Sequence, residues 1–186
     1  TDELREVLNE IREAGVENVI ALRGDPPVGE EKFVKTEGGL GNADELVELI
    51  SAEYDFCIAG ACYPETHPEA VSTEDDLAHA VDKVKNGASF LVTQLFFDND
   101  AYFDYVERAR AAGIEVPIIP GIMPIAGYEQ IKRFTSMCGA TLPADLMAQL
   151  EARKDDPEAI TDLGVAYATL QCADLVDDVR GEVLRR

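Results

Sequence analysis

The fold is decided by the stretch FLVTQLFF, residues 90–97, an almost continuous apolar run. A short apolar run bounded by turn signals predicts a buried strand. Residues 72–85 before it and residues 99–112 after it are predicted helices, and Gly87 and Gly113 stand where C-terminal caps belong. Around this run the chain therefore reads helix, strand, helix, which is typical of a parallel sheet covered by helices.

The strand-then-helix unit recurs on both sides of this run. Four such units follow one another, and no further strand is predicted after Pro143. Asn42 with Glu45 resembles a capping box and predicts a helix start. The predicted strands are residues 18–22, 55–62, 90–97 and 116–119, and the other predicted helices are residues 2–14, about 43–50, 128–137, 144–153 and about 157–177.

An open doubly wound sheet and a closed barrel both fit this order of elements. The nucleotide-binding glycine motifs of open sheets are missing from the sequence, and polar residues follow each strand, as in a barrel. We therefore expect the α/β class, a (β/α)8 TIM-barrel type. Because a closed barrel needs eight strands, four βα units with C-terminal helices predict an incomplete barrel, cut at its front and at its back, in a single domain of residues 1–186.

The charge of the chain disfavours several functions. With 37 acidic and 16 basic residues, the formal net charge is −21, so no nucleic-acid or anionic-membrane binding is expected. The acidic excess has two competing explanations, an acidic interaction surface or a solvated surface adapted to high salt. Because the acidic residues are spread along every predicted helix, we favour the adaptation to high salt.

The cysteines and histidines predict no metal site. Four cysteines lie at spacings that match no zinc or redox motif, and only two histidines are present. We expect buried free thiols in a reducing cytoplasm. No apolar stretch is long enough to cross a bilayer.

Polar residues at the predicted strand ends are candidates for ligand binding. Arg23 and Asp25 offer donors and a carboxylate on either side of a glycine, although a surface turn would also explain them. Tyr63 and His67 lie in a loop stiffened by prolines, and a structural histidine is the alternative. Gln94 interrupts an apolar strand, where it either bonds the neighbouring backbone or contacts a heterocyclic ligand.

A second group of candidates lies on one face of a predicted helix. Asp76, His79 and Lys83 are three and four residues apart. A solvated charged face is the usual explanation of such spacing. In so acidic a chain, however, the few cations are candidates for holding a phosphate-bearing cofactor.

Four blocks of sequence together resemble the methylenetetrahydrofolate reductase family. They are ALRGDPP at residues 21–27, YPETHPEA at 63–70, NGASFLVTQLFFD at 86–98 and IIPGIMPI at 118–125. The resemblance implies a barrel that binds FAD at the C-terminal ends of its strands. It also implies a ping-pong reaction in which NAD(P)H reduces the flavin and 5,10-methylenetetrahydrofolate then becomes 5-methyltetrahydrofolate. A homo-oligomer is expected.

The resemblance also implies roles for individual residues. Asp25 and Gln94 would take part in catalysis, Asp25 beside the flavin and the pterin and Gln94 as the reader of pterin and nicotinamide. The implied substrate contacts are Gln94, Gln130 and Phe134, the last by stacking. The implied flavin contacts are Arg23, Gly24, Asp25, Ala43, Tyr63, His67, Ala70, Asp76, His79 and Lys83.

Departures from the family pattern limit these expectations. Asp82 stands where a basic residue is expected beside Lys83. The family's catalytic Glu belongs to an N-terminal motif resembling FEFFPP, which these residues lack, so the chain alone is expected not to turn over. Two alternatives remain open, a barrel enzyme for another heterocyclic or phosphorylated ligand and a non-catalytic fragment or subunit that needs a partner chain.

Overall fold

The structure is a computed structural model that describes residues 1–24 and 33–183, with side chains as far as residue 176. Within those residues, seven helices and four strands are present, and they alternate from α1 to α5 before α6 and α7 follow without a strand. They are α1 (Asp2–Glu13), β1 (Asn18–Ala21), α2 (Ala43–Glu53), β2 (Cys57–Cys62), α3 (Thr73–Lys85), β3 (Phe90–Leu95), α4 (Asn99–Ala111), β4 (Ile118–Gly121), α5 (Tyr128–Cys138), α6 (Ala144–Glu151) and α7 (Pro157–Val183).

The strands form one four-stranded parallel sheet in the order β1-β2-β3-β4. β1 pairs with β2 in parallel, with Asn18 opposite Cys57 and Ala21 opposite Gly60. Strands that neighbour one another in sequence also neighbour one another in the sheet, with a helix after each. This confirms the α/β class and the four predicted βα units, and closure into an eight-stranded barrel remains an expectation.

β3 ends earlier than the apolar run predicts. The run continues to Phe97, but the strand stops at Leu95. The next two carbonyls accept hydrogen bonds from side chains of α7: Gln171 Nε2 donates to the oxygen of Phe96 over 3.0 Å, and the Tyr167 hydroxyl donates to that of Phe97. Phe96 and Phe97 are buried in the core, although they lie outside the strand.

α7 is longer than predicted, because it continues past residue 177 to Val183. Its buried residues recur every three or four positions, at Ile160, Gly164, Ala168, Gln171 and Leu175. This spacing lines one face of a helix.

The start of α2 departs from the predicted capping box. Asn42 is the N-cap with extended backbone, but its side chain makes no capping hydrogen bond. The Glu45 carboxylate instead accepts from the backbone N–H of Gly41 over 2.9 Å and from Lys35 Nζ over 3.2 Å. These donors hold the pKa of Glu45 below its usual value, the Gly41 hydrogen bond having the largest effect. The Glu45 carboxylate therefore ties the segment before the helix to its first turn instead of capping the helix.

Two compact units each contain a hydrophobic core. The first unit is Thr1–Cys62, Glu74–Val92 and Ala109–Ile119, and the second is Tyr63–Thr73, Thr93–Arg108 and Pro120–Arg186. The first core contains Leu8, Ala21, Val47, Ile50, Ile58 and Ala88. The second contains Phe97, Ile125, Ile131, Leu146, Leu150 and Ile160.

The cysteines depart in part from the prediction of buried thiols. Cys62 is buried and Cys57 and Cys138 are half-buried, but Cys172 is exposed on α7. It lies one position beyond the buried Gln171, so its side chain leaves the packed face of the helix. No helix within the described residues is both long enough and apolar enough to span a membrane.

Candidate functional site

In the first unit, the segment after β1 carries Arg23 and Gly24. The Arg23 guanidinium carbon lies 4.7 Å from the centre of the Phe33 ring, a cation–π contact. A Cβ placed on Gly24 would meet no described heavy atom within 4 Å. Asp25, the predicted catalytic carboxylate, lies outside the described residues. The described part of this segment therefore offers a guanidinium held by an aromatic ring.

Lys83 of α3 is a buried cation in the same unit. Its side chain reaches the end of β2, where Nζ donates to the carbonyl oxygen of Ala61 over 2.8 Å, and the residue is only 7% exposed. Burial lowers the pKa of Lys83 below its ordinary value, and the nearby charges of Asp76, Cys62 and Asp44 act in the opposite direction. An ammonium has three donors, and the Ala61 carbonyl accepts one of them.

The interpretation of Asp76, His79 and Lys83 as a solvated charged face is wrong for two of the three. Asp76 is 8% exposed and Lys83 is 7% exposed, so both are buried with α3 packed against the sheet. His79 is half-exposed, and its Nδ1 lies 3.9 Å from an Asp44 carboxylate oxygen. Asp44 follows Ala43, the first residue of α2. The structure thus brings Asp76, His79 and Lys83 of α3 close to Asp44 at the start of α2, within one unit, and Ala43 adjoins this group only as the residue before Asp44.

In the second unit, the loop after β2 carries Tyr63, His67 and Ala70. The rings of Tyr63 and His67 meet edge to face with centroids 4.6 Å apart. His67 Nδ1 accepts from the backbone N–H of Glu69 over 3.0 Å, and its carbonyl accepts from that of Ala70 over 2.9 Å. A neutral imidazole that accepts at Nδ1 carries its proton on Nε2. The loop therefore presents a tyrosine and an oriented histidine together.

The same loop contains a strained residue. Thr66 has φ of 79°, a region that β-branched residues rarely adopt. Such a conformation costs about 1–3 kcal/mol and persists where the surroundings hold it. The hydroxyls of Thr66 and Thr73 are hydrogen-bonded at 3.0 Å, and both Glu65 carboxylate oxygens lie within hydrogen-bonding distance of the Thr141 N–H. The loop is therefore fixed at both its strained residue and its neighbour.

Gln94 and Thr93 of β3 are both committed to backbone groups of their own unit. Gln94 Oε1 accepts from the N–H of Leu95 over 2.9 Å, which leaves the amide nitrogen as the donor side of the group. The buried Thr93 hydroxyl accepts from the N–H of Gly121 over 2.8 Å. The two alternatives for Gln94, a backbone partner and a ligand contact, are compatible. The amide oxygen bonds the backbone, and the amide nitrogen can donate to a ligand.

Gln130 and Phe134 lie on α5. Gln130 is exposed and lines a cavity of about 100 Å³ together with Met123, Pro124, Ile125, Ala126 and Ile131. Phe134 is half-buried, and the Arg133 guanidinium lies 5.5 Å from its ring centre. Drug-sized ligands occupy about 300–1,000 Å³, so this cavity accommodates only one end of a larger ligand.

Three residues that support these candidate sites, Gly60, Glu65 and Thr66, were not predicted from the sequence. Gly60 in β2 had a signal, since glycine inside a strand marks a close approach. A Cβ there would lie 3.2 Å from Lys83 Cδ and 3.1 Å from Leu91 Cδ2. Glu65 and Thr66 had none beyond their place in the loop, because a bond to Thr141 and a positive φ depend on tertiary contacts. Among the described residues, no cluster of three or more His, Cys, Asp or Glu side chains could hold a metal ion.

These features define a class of protein. Strand-then-helix units build a parallel sheet. Charged, aromatic and amide side chains lie near the ends of the strands or in the segments that follow them. In such α/β folds, ligands bind at the carboxyl ends of the strands. The chain is therefore an α/β protein with charged, aromatic and amide side chains near the carboxyl ends of its strands.

The comparisons with known proteins identify the family. The family model described as methylenetetrahydrofolate reductase matches residues 1–183, and the chain belongs to that family. Methylenetetrahydrofolate reductase (NADH) 1 of Arabidopsis thaliana is 42% identical over 182 residues, covering 92% of this chain and 31% of that protein. The 5,10-methylenetetrahydrofolate reductase of Escherichia coli is 39% identical over 157 residues, covering 84% of this chain and 51% of that protein.

A solved structure shares the fold. An uncharacterized protein from Clostridium thermocellum that binds two copies of 5-methyl-5,6,7,8-tetrahydrofolic acid superimposes with a TM-score of 0.56 at 20% identity, over 82% of this chain and 54% of that one. The chain spans about a third of the length of the plant relative and about half that of the bacterial relative. The family match therefore covers only a part of the length of these relatives.

Proposed function

We propose that this chain is the flavin- and folate-binding part of an FAD-dependent methylenetetrahydrofolate reductase, which reduces 5,10-methylenetetrahydrofolate to 5-methyltetrahydrofolate with electrons from NAD(P)H. The observation that carries the proposal is the family match over residues 1–183. The binding of 5-methyltetrahydrofolate by the Clostridium thermocellum protein supports folate as the ligand class. The NADH in the name of the plant relative belongs to that relative.

The residues of the first unit fit a flavin dinucleotide. The cofactor has a charged pyrophosphate, ribityl and ribose hydroxyls, and a flat ring. The buried Lys83 ammonium and the Arg23 guanidinium supply cationic donors, and Asp76 and His79 supply partners for hydroxyls. Gly60 leaves room for the Lys83 stem, which an alanine would push aside. The donor set is therefore suited to a phosphate-bearing ligand despite the acidic Asp82 beside Lys83.

The residues of the second unit fit the flat rings of a flavin and a folate. Tyr63 and the His67 imidazole would contact the ring of the cofactor, with Ala70 allowing close approach. Gln94 would offer its amide nitrogen to a ring acceptor, because its oxygen is held by Leu95. Gln130 and Phe134 would hold the pterin by hydrogen bonding and stacking. When FAD is bound, it supplies hydride transfer at N5, and these side chains orient the rings and exclude water.

Asp25 would lie beside the flavin and the pterin and, with Gln94, complete the catalytic pair. Its negative charge would disfavour added electron density on a neighbouring ring and so help to set the reduction potential. The family's proton-donating Glu is not among these residues. We therefore propose that the chain binds its ligands without turning them over.

The test is a titration of the purified 186-residue chain with FAD. We expect a bound flavin that survives gel filtration and has an absorption band at about 450 nm. We also expect binding of 5-methyltetrahydrofolate by calorimetry, and no NAD(P)H-menadione turnover. A chain that retains neither FAD nor folate contradicts the proposal, and robust turnover contradicts the expected loss of activity.

A matched pair of variants localises the cofactor. Lys83→Met removes the buried ammonium and is expected to weaken FAD binding at least about tenfold, as expected for loss of a charged donor. Lys85→Met removes a 70% exposed ammonium from the same helix and serves as the control. Equal FAD affinity in the two variants would exclude Lys83 as a cofactor contact.

A further inference from the structure

The loop after β2 and the segment after α5 contact each other at two points. The backbone N–H of Thr141 donates to both carboxylate oxygens of Glu65, at 3.1 and 3.0 Å. A Cβ on Gly139 would lie 3.0 Å from Pro68 Cγ, so the glycine allows the two segments to approach. Both segments belong to the second unit. The contact therefore joins positions that lie 76 residues apart within one compact body.

The loop after β2 is also held by hydrogen bonds other than the one to Thr141. Arg108 donates to the carbonyl oxygen of Pro64 over 3.4 Å, and the Thr66 hydroxyl is bonded to that of Thr73 at 3.0 Å. Thr66 nevertheless keeps a positive φ of 79°. Because a strained residue persists only where its neighbours over-determine its position, the loop is a fixed support.

The other side of the contact is the end of α5. The helix stops at Gly139, which has a left-handed backbone with φ of 75° and donates to the Thr135 carbonyl. Gln130 and Phe134 lie on α5, in the turns that lead to Gly139. A tie at Thr141 therefore acts on the end of the helix that carries both candidate substrate contacts.

We propose that Glu65 is a positioning residue, which fastens the end of α5 to the loop carrying Tyr63 and His67 and so sets the position of the folate-contacting helix relative to that loop. The effect on folate rests on the proposed function, whereas the fastening rests on the Glu65–Thr141 contact alone. A carboxylate suits this role because two oxygens accept from one N–H. A glutamine at position 65 retains one acceptor, and an alanine retains none.

The fastening is tested by amide hydrogen exchange of the 186-residue chain without ligand. In Glu65→Ala, the amides of residues 139–142 are expected to exchange roughly tenfold faster, because a charge-assisted hydrogen bond is lost. Glu65→Gln is expected to give a smaller rise. The matched control is Glu107→Gln, an exposed glutamate of α4 in the same unit, which is expected to leave these rates unchanged.

Two results overturn the fastening. One is unchanged exchange at Thr141 in Glu65→Ala. The other is a rise spread evenly over α6 and α7, because a local tie predicts a rise confined to its neighbourhood.

The positioning role is tested by calorimetric titration with 5-methyltetrahydrofolate. Glu65→Gln is expected to bind roughly fivefold more weakly than the unsubstituted chain, and Glu107→Gln is expected to bind equally well. Equal affinity in Glu65→Gln overturns the positioning role even if exchange is faster. An unsubstituted chain that fails to bind folate contradicts the proposed function, and the exchange rates still decide the fastening.

Discussion

At the scale of single residues, Lys83 is buried, although its place on a charged helix face predicted an exposed side chain. Its ammonium is buried against the Ala61 carbonyl, with Asp76 nearby on the same helix and also buried. A buried charge is tolerated only when it is hydrogen-bonded and compensated. The Ala61 carbonyl and the Asp76 carboxylate therefore offset part of what it costs to bury this amine.

Replacing Lys83 by methionine is expected to lower the free energy of unfolding by about 1–3 kcal/mol, because the Ala61 carbonyl would stay buried without its donor. Methionine keeps most of the apolar stem that packs beside Gly60. Urea denaturation monitored by circular dichroism measures the change. Lys85→Met, at an exposed ammonium 3.7 Å from Asp82, should change the stability by no more than about 0.5 kcal/mol. Similar losses in the two variants would contradict the role of Lys83.

The pH dependence of stability follows from the same burial. The pKa of Lys83 is lower in the folded chain than its ordinary value of 10.5. Between these two pKa values the unfolded chain binds more protons, so the contribution of Lys83 to stability rises with pH in that window. The stability difference between the unsubstituted chain and Lys83→Met should therefore grow as the pH approaches 10.5. Urea titrations at several alkaline pH values would measure it, and a constant difference would argue against a lowered pKa.

The sequence predicted which residues are polar at the strand ends, but their partners were beyond its reach. Helical spacing correctly placed Asp76, His79 and Lys83 on α3, yet burial of two of them depends on how α3 packs. Gln94 was predicted as either a backbone partner or a ligand reader, and the structure assigns its oxygen to Leu95. Such choices are made by tertiary contacts, which spacing does not encode.

At the scale of elements, the predicted strands and helices are confirmed to within a few residues at most ends. The periodicities that predict them reflect burial, and burial also forms the described cores. The ends differ where a distant element intervenes. Gln171 and Tyr167 of α7 bond the carbonyls that would have extended β3. The apolar run alone contains no trace of that competition.

The contact between α7 and the turn after β4 predicts an intolerant glycine. A Cβ on Gly164 would lie 1.9 Å from the Ile125 carbonyl oxygen, which is backbone and has little freedom to move. Gly164→Ala should therefore destabilise the chain by about 2–3 kcal/mol or more, outweighing the roughly 1 kcal/mol gained in helix propensity. Thermal and urea unfolding would measure the loss.

Gly127→Ala is the matched control for that substitution. Gly127 is the N-cap of α5, and its Cβ would lie an ordinary 3.5 Å from Gln130 Cβ. Its effect should be a loss of no more than about 1 kcal/mol, which is the difference expected between glycine and the poorer N-cap alanine. A Gly164→Ala variant as stable as Gly127→Ala would show that α7 can shift away from Ile125.

At the scale of the whole molecule, the formal net charge of −21 sets the solution behaviour. Self-repulsion between carboxylates weakens as salt shortens the screening length from about 10 Å at 0.1 M to about 3 Å at 1 M. The melting temperature should therefore rise by several degrees between low salt and molar KCl. Scanning calorimetry across that range checks it. A flat or falling melting temperature would count against adaptation to salt and favour an acidic interaction surface.

The architecture of the whole chain was predictable in its order of elements and less so in its division. Four βα units in sequence lead to the observed sheet order, because consecutive units in parallel sheets usually become neighbours. The two compact units alternate along the chain and cut across β3 and β4, so no boundary in composition marks them. The prediction of a single domain stays a prediction.

The close approach of β3 and β4 has a consequence for heredity. A Cβ on Gly121 would lie 2.3 Å from the Thr93 carbonyl oxygen, which is backbone. Every glycine codon mutates by one base only to another glycine codon, to a stop codon or to a codon for a residue with a Cβ. Saturation mutagenesis followed by selection for folded protein should thus leave this position monomorphic, and surviving alanine or serine clones would reveal that the two strands can part.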